Sequence, residues 1–292
     1  QAPGQRAAAA RPPPPAPTHP PEDPMQTTAD PDAHPAAPAR ARVEHDILRA
    51  PRDGTLPTVD LHLPSGGTAR PPLVIDVSGW ARPHRPAATP WAPELAAHGI
   101  AVATVHNRHT PRHDHALRDL RNLVRLLRKN AGAFGPAPER IGLFGRADAA
   151  YLAALAAYST VDPRAQVQAL AGVGGTWGIE TAPDLDARRP ARTPRRSADA
   201  EVLHQVCEVA LATGNDVPLL VVSGAGDRTA PAEHGVRFAE VVTAAGGRAS
   251  VLLLGESGHG DADLDPALSA GAVAAFFHRT LHTAPHPVPA AR

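Results

Sequence analysis

At 292 residues, with 29 basic and 29 acidic side chains in balance and 42% hydrophobic residues, the chain can fill one large core and carries no net field that would draw nucleic acid or an anionic membrane surface. No apolar run approaches the roughly 20 residues needed to span a bilayer. The single cysteine, Cys207, excludes an internal disulfide and fits a reducing cytoplasm, the expected location.

Residues 1–40 hold 12 of the 34 prolines among many alanines, too few large apolar side chains to offset the entropy of ordering, so a disordered, partly polyproline II tail is expected there. This stretch lacks the charged start and apolar middle of a signal peptide. Residues 285–292 are expected to form a second disordered tail. The segment 41–284 is expected to be the folded domain.

From Arg42 the pattern changes. Val43 to Leu48 and Val59 to Leu63, either side of the turn signal Asp53-Gly54, predict a leading hairpin. Leu73 to Val77, Ile100 to Val105, Ile141 to Phe144, Val167 to Val173, Pro218 to Val222 and Ser250 to Leu254 are apolar runs of the kind covered on both faces. Helical patterns lie between most of them, at Ala116 to Ala131, Ala149 to Tyr158, Pro231 to Ala245 and Pro266 to Leu281. Alternation of this kind predicts an α/β fold: a mostly parallel central sheet of about eight strands with helices on both faces. One stretch, 174–216, is too long for a simple crossover. It carries the Gly-rich GVGGTWG, a Pro/Arg-rich loop and a helical pattern near Ala200 to Ala212, and is expected to be a lid-like insertion.

Arg140 to Tyr158, RIGLFGRADAAYLAALAAY, reads as a short strand, a tight turn of small residues and an Ala/Leu helix. That is the layout of a nucleophile elbow, Gly-x-Ser-x-Gly, in which a strained residue is held at the top of a sheet. Here the turn is Gly145-Arg146-Ala147-Asp148-Ala149, and Ala147 places a methyl where acyl chemistry needs a hydroxyl.

Other segments extend the pattern in chain order: VDLHLP (59–64), DVSGW (76–80), Asn107-Arg108 with Pro111, SGAGDRTAP (223–231) and GESGHGD (255–261). Together they resemble the α/β-hydrolase superfamily, specifically the carboxylesterase and hormone-sensitive-lipase-like esterases, over about residues 42 to 283. The resemblance implies the α/β-hydrolase fold and a nucleophile, acid, histidine order falling on Ala147, Asp227 and His259. It also places an oxyanion loop at Asp76, Val77, Ser78 and Gly79, where the family has His-Gly-Gly-Gly, with Asp148 beside the elbow. Trp80, Arg146, Trp177 and Ser257 are expected to line the site.

The resemblance thus implies an esterase-like protein whose serine mechanism is lost, since alanine cannot attack a carbonyl and losing a triad nucleophile costs about a millionfold in turnover. Three functions stay open: binding of a small, ester-like ligand or a partner in the former active site, general-base chemistry by an Asp227/His259 dyad, and weak hydrolysis through activated water or a serine such as Ser78 or Ser257. Asp148 is a poor substitute nucleophile, because a shifted elbow would put Arg146 where the turn wants glycine. A pairing of Arg146 with Asp76 is a further expectation. His106, His109, His113 and His115 crowd ten residues, yet their spacing matches no closed metal site, so neither metal nor cofactor is expected.

Overall fold

Proline and glycine set the bounds of the elements. Pro71-Pro72 cannot continue a helix and leads into Leu73–Asp76, four residues buried on both faces. Gly99, at φ 82°, turns the chain from a short helix into the fully apolar start of the next strand. The computed structural model describes residues 41–45, 47, 58–66, 70–78, 90–106, 113–175, 177, 215–255, 257–259 and 266–282. All of these lie within one compact unit, Pro38–Arg292.

The strands are β1 (Arg42–Glu44), β2 (Thr58–Leu63), β3 (Leu73–Asp76), β4 (Ala101–His106), β5 (Ile141–Arg146), β6 (Ala169–Val173), β7 (Leu219–Gly224) and β8 (Ala249–Leu254). Five helices are present among the described residues: α1 (Trp91–Ala97), α2 (His113–Phe134), α3 (Asp148–Tyr158), α4 (Ala232–Ala244) and α5 (Pro266–His282). The eight strands form one sheet in the order β1-β2-β4-β3-β5-β6-β7-β8. β2 runs antiparallel to both β1 and β4, and the remaining pairs are parallel. This is the α/β arrangement that the alternating pattern predicts. The second strand of the leading hairpin is present as β2, whereas the first is cut to three residues, and the turn 53–54 lies outside the described residues.

Two apolar layers enclose the sheet. One face packs Leu73, Ile75, Leu143 and Leu170 beneath residues of α2, α3 and α4. The other packs Val74, Phe144, Ala171 and Val222 beneath Trp91 and Leu95 of α1 and Val273 and Phe277 of α5. Helix α3 is buried along its whole length after Asp148, which its six alanines and two leucines at the interior positions permit. The sequence pattern does not predict α1. It is seven residues long and starts directly after Pro90, so its two turns are too short to establish a helical period.

Candidate active site

The elbow is built by close packing. A Cβ on Gly145 would lie 2.6 Å from the carbonyl oxygen of Ala149 and 2.8 Å from the Cα of Ala150, so the first turn of α3 can fold back over β5 only above a glycine. The bend falls on the next residue but one. Ala147 has φ 48° and ψ −127°, a left-handed conformation that costs an L-residue on the order of 1–3 kcal/mol and persists only where its surroundings impose it. They do so here through two hydrogen bonds: the Ala147 N–H donates to Val173 O at 3.1 Å, and the Ala147 carbonyl accepts from Ala150 N–H at 3.1 Å. Asp148 lies one residue further on, exposed, in the first turn of α3, where a carboxylate complements the helix dipole. The strained position is therefore 147, and the shifted elbow centred on Asp148 is not formed.

Strands β5, β7 and β8 are mutually parallel, so the segments after them emerge at one end of the sheet, the end where open α/β sheets take ligands. After β7 comes Asp227, whose side chain is fully buried. Its Oδ1 accepts the amides of Thr229 and Ala230, both at 2.8 Å. Its Oδ2 lies 2.9 Å from Nδ1 of His259, which follows β8 and keeps 31% of its side chain exposed. With Nδ1–H donating to this carboxylate, the imidazole presents Nε2 as the basic nitrogen. Backbone lacing between the two loops sets that contact. Gly226 N–H donates to Ser257 O at 3.1 Å, and Ala225 N–H reaches Leu254 O at 3.2 Å and Gly255 O at 3.1 Å. A Cβ on Gly224 would stand 2.1 Å from Ser257 O, so only glycine lets the loops meet. Ser257 is itself buried and acts in this packing through its carbonyl.

The segment after β3 differs most from an oxyanion hole, which needs amides aimed at developing negative charge. The Val77 N–H instead continues the sheet, donating to Phe144 O at 2.9 Å, and its side chain is fully buried. The Ser78 N–H donates to Oδ1 of Asp76 at 2.9 Å, a local turn bond of the kind aspartate favours. Asp76, expected to lie on the site loop, is wholly inaccessible at the last position of β3. It sits in register with Phe144 of β5, so Arg146, two residues beyond Phe144, shares its sheet face, the placement that a pairing of the two requires.

Trp177 is a core residue, not an exposed lining group. It is fully buried and stacks on Phe238 with ring centroids 5.0 Å apart. Glycines clear its place: a Cβ on Gly172 would lie 2.3 Å from its ring and one on Gly175 2.9 Å. Gly79, Trp80, Asn107, Arg108, His109, Pro111 and most of the 174–216 insertion lie outside the described residues. Among the described residues no group of three or more His, Cys, Asp or Glu side chains is arranged to hold a metal ion. His106 instead bonds a residue that the sequence did not single out: its Nε2 lies 2.9 Å from Oδ2 of Asp60. His45 Nδ1 reaches the same oxygen at 3.1 Å.

The strand order, the sharp elbow and the acid and histidine loops at one sheet end define an α/β-hydrolase. The chain has the α/β-hydrolase fold, and residues 59–174 match the BD-FAE family model. No curated relative matches the sequence. Among solved structures it is similar to a truncated carbohydrate esterase from gut microbiota, at 17% identity and a TM-score of 0.65 over 85% of this chain and 99% of that one. A sugar hydrolase from Lactococcus lactis shares 13% identity and a TM-score of 0.62 over 82% of this chain and 99% of the other. Esterase 2 of Thermogutta terrifontis, phosphoramylated by tabun, shares 17% identity and a TM-score of 0.57 over 84% and 96%. At these identities the likeness establishes the fold. No helix among the described residues is long and apolar enough to cross a membrane.

Proposed function

We propose that this chain is an esterase-fold protein without serine-dependent hydrolysis, which binds a small ester-like ligand at the carboxyl ends of β3, β5, β7 and β8. The observation that carries the reading is Ala147 in the strained elbow conformation, at φ 48°, so that the attacking position bears a methyl. The engaged amides of Val77 and Ser78 support it, because an acyl transfer site needs such donors free for the oxyanion. The solved carbohydrate esterase and sugar hydrolase suggest an acylated sugar as the first ligand class to try. The 174–216 insertion would supply the lid over this ligand, and the lone Cys207 is compatible with a cytoplasmic setting.

Hydrolysis of a short-chain p-nitrophenyl ester by the chain and by Ala147→Ser tests the reading. The expected result is no turnover above background in the unmodified chain and little in the variant. Strong activity in the unmodified chain would overturn it. Binding is followed separately, by the shift in melting temperature on adding acetylated monosaccharides.

A second reading, favoured by the 2.9 Å contact between His259 and Asp227, makes the pair a general base for proton abstraction, elimination or direct activation of water. None of these needs an acyl-enzyme. His259→Ala would abolish such an activity while leaving ligand binding largely intact, which separates the two readings.

A further inference from the structure

Thr104 stands in register with two carboxylates at once, Asp60 on β2 and Asp76 on β3, so all three side chains project from one face of the sheet. That face is the one packed beneath α1 and α5. Four residues around this row carry a buried polar atom with no hydrogen-bond partner in the protein: Oγ1 of Thr104, Nδ1 of His106 two residues along β4, Oγ of Ser78 two residues past Asp76, and Nε1 of Trp91. The Trp91 ring lies 4.9 Å from that of Phe144, which is in register with Asp76 on β5. Thr104 and Trp91 are 2% and 0% exposed, and the His106 side chain 10%. Nδ1 of His62 is unpartnered as well, but one row deeper, opposite the apolar Val102. Buried polar groups in folded proteins are nearly all paired, so four of them around one row at the carboxyl ends of β3 and β4 call for partners from outside the chain.

We propose that these atoms form a subsite for a neutral O–H group, beneath the carboxyl ends of β3 and β4 and adjoining the candidate site at Ser78. The pattern of donors and acceptors selects the occupant. Nε2 of His106 lies 2.9 Å from Oδ2 of Asp60, and with Nε2–H donating to that carboxylate Nδ1 is left as an acceptor. The Trp91 indole N–H can only donate, while the hydroxyls of Thr104 and Ser78 can do either. An O–H group accepts from the indole and donates to the imidazole, so it meets both needs. The buried carboxylates of Asp60 and Asp76 disfavour an anion, and an indole N–H offers a cation no ligand. Two sources share this chemistry, an internal water and a hydroxyl of a bound sugar. The second rests on the ligand class proposed above, and the first does not.

The test is a water-to-protein NOE measurement on the full chain, read at the Trp91 indole N–H and the Thr104 methyl, alone and with an acetylated monosaccharide. Melting curves of the wild type and Thr104→Val accompany it, valine keeping the shape of the side chain and deleting its hydroxyl. The expected result is an NOE from long-lived water in the free protein and a melting temperature about 2–4 °C lower in Thr104→Val, the shift that loss of one hydrogen bond gives in a domain of this size. If the NOE persists with the sugar present and the sugar raises both melting temperatures alike, the occupant is water. If the sugar removes the NOE and Thr104→Val loses its response to the sugar, the sugar hydroxyl takes the subsite. A sugar without effect on either protein counts against the ligand class alone, and the NOE then decides the subsite. Absence of the NOE, with Thr104→Val at least as stable as the wild type and unchanged in its response to the sugar, overturns the proposal, since deleting an unsatisfied hydroxyl relieves the fold.

Discussion

Oδ1 of Asp76 accepts the backbone N–H of Ser78 at 2.9 Å, two residues along the same strand end. In the proposed reading this bond holds one loop amide on Asp76 instead of leaving it for a bound carbonyl. A hydroxyl at position 147 alone therefore leaves that amide engaged. Ala147→Ser is expected to give little ester hydrolysis, and Ala147→Ser with Asp76→Gly to exceed it by about tenfold or more, since one oxyanion donor is worth about 10² to 10³ in turnover. Initial rates with p-nitrophenyl acetate check this. Equal rates in the single and double variants would show that Asp76 does not hold back hydrolysis.

Asp227 divides its oxygens between structure and proton placement, with Oδ1 on the amides of Thr229 and Ala230 and Oδ2 on His259. Asp227→Asn keeps an acceptor for the two amides but turns the other atom into a donor, which forces His259 into the opposite tautomer. Nitrogen chemical shifts of the His259 ring should report that exchange with little change in melting temperature. Asp227→Ala removes both functions and should lower stability by about 1–3 kcal/mol through the two stranded amides. If the two variants melt alike, Oδ1 is not holding the loop.

Most of the frame is legible in the sequence because it depends on local chemistry. The apolar runs became strands, and Gly145 with the alanines after it marked the elbow without reference to any partner. The acid and histidine loops were legible by order along the chain, though not the Gly224 and Ser257 contact that brings them together. What escaped depends on register or on distant packing. Asp60 reads as a polar break in VDLHLP, and only the antiparallel pairing of β2 with β4, which sets Thr58 opposite His106, brings Asp60 within reach of that histidine. Trp177 reads as a site-lining aromatic beside Gly174-Gly175, yet Gly172 and Gly175 clear room for its indole inside the core. Val77 extends the apolar run and still donates to Phe144 O, and the turn bond from Ser78 to Asp76 ends the ladder directly after it.

Two glycine substitutions should differ in kind. At Gly172 the added methyl meets the buried Trp177 ring at 2.3 Å, an overpacking expected to cost about 1–3 kcal/mol as the indole shifts toward Phe238. At Gly145 it meets the backbone of Ala149 and Ala150, which cannot move without lifting α3 from β5. Gly145→Ala is therefore expected to be the more damaging, and Gly172→Ala the one that alters tryptophan fluorescence in a protein that remains folded. Urea unfolding followed by fluorescence distinguishes them, and a Gly145→Ala protein as stable as Gly172→Ala would contradict the elbow packing.

His62 carries a pH dependence whose sign can be worked out. Burial lowers its pKa below the ordinary 6.5, and His45 and His106 act in the same direction, while Asp60 and Asp76 oppose them. The folded protein thus holds His62 neutral, and the unfolded chain takes up the proton first as the solution is acidified. Its contribution to stability is complete above about pH 6.5 and is lost as pH falls from there through the lowered folded value. The ring also has Nδ1 buried without a hydrogen-bond partner, so His62→Leu removes a polar atom that gains nothing in the fold. Urea unfolding at about pH 7.5 and about pH 5.5 should show the wild type losing more stability between the two than His62→Leu, with the variant at least as stable at the acid end. Equal losses in the two proteins would mean that His62 does not carry the pH dependence.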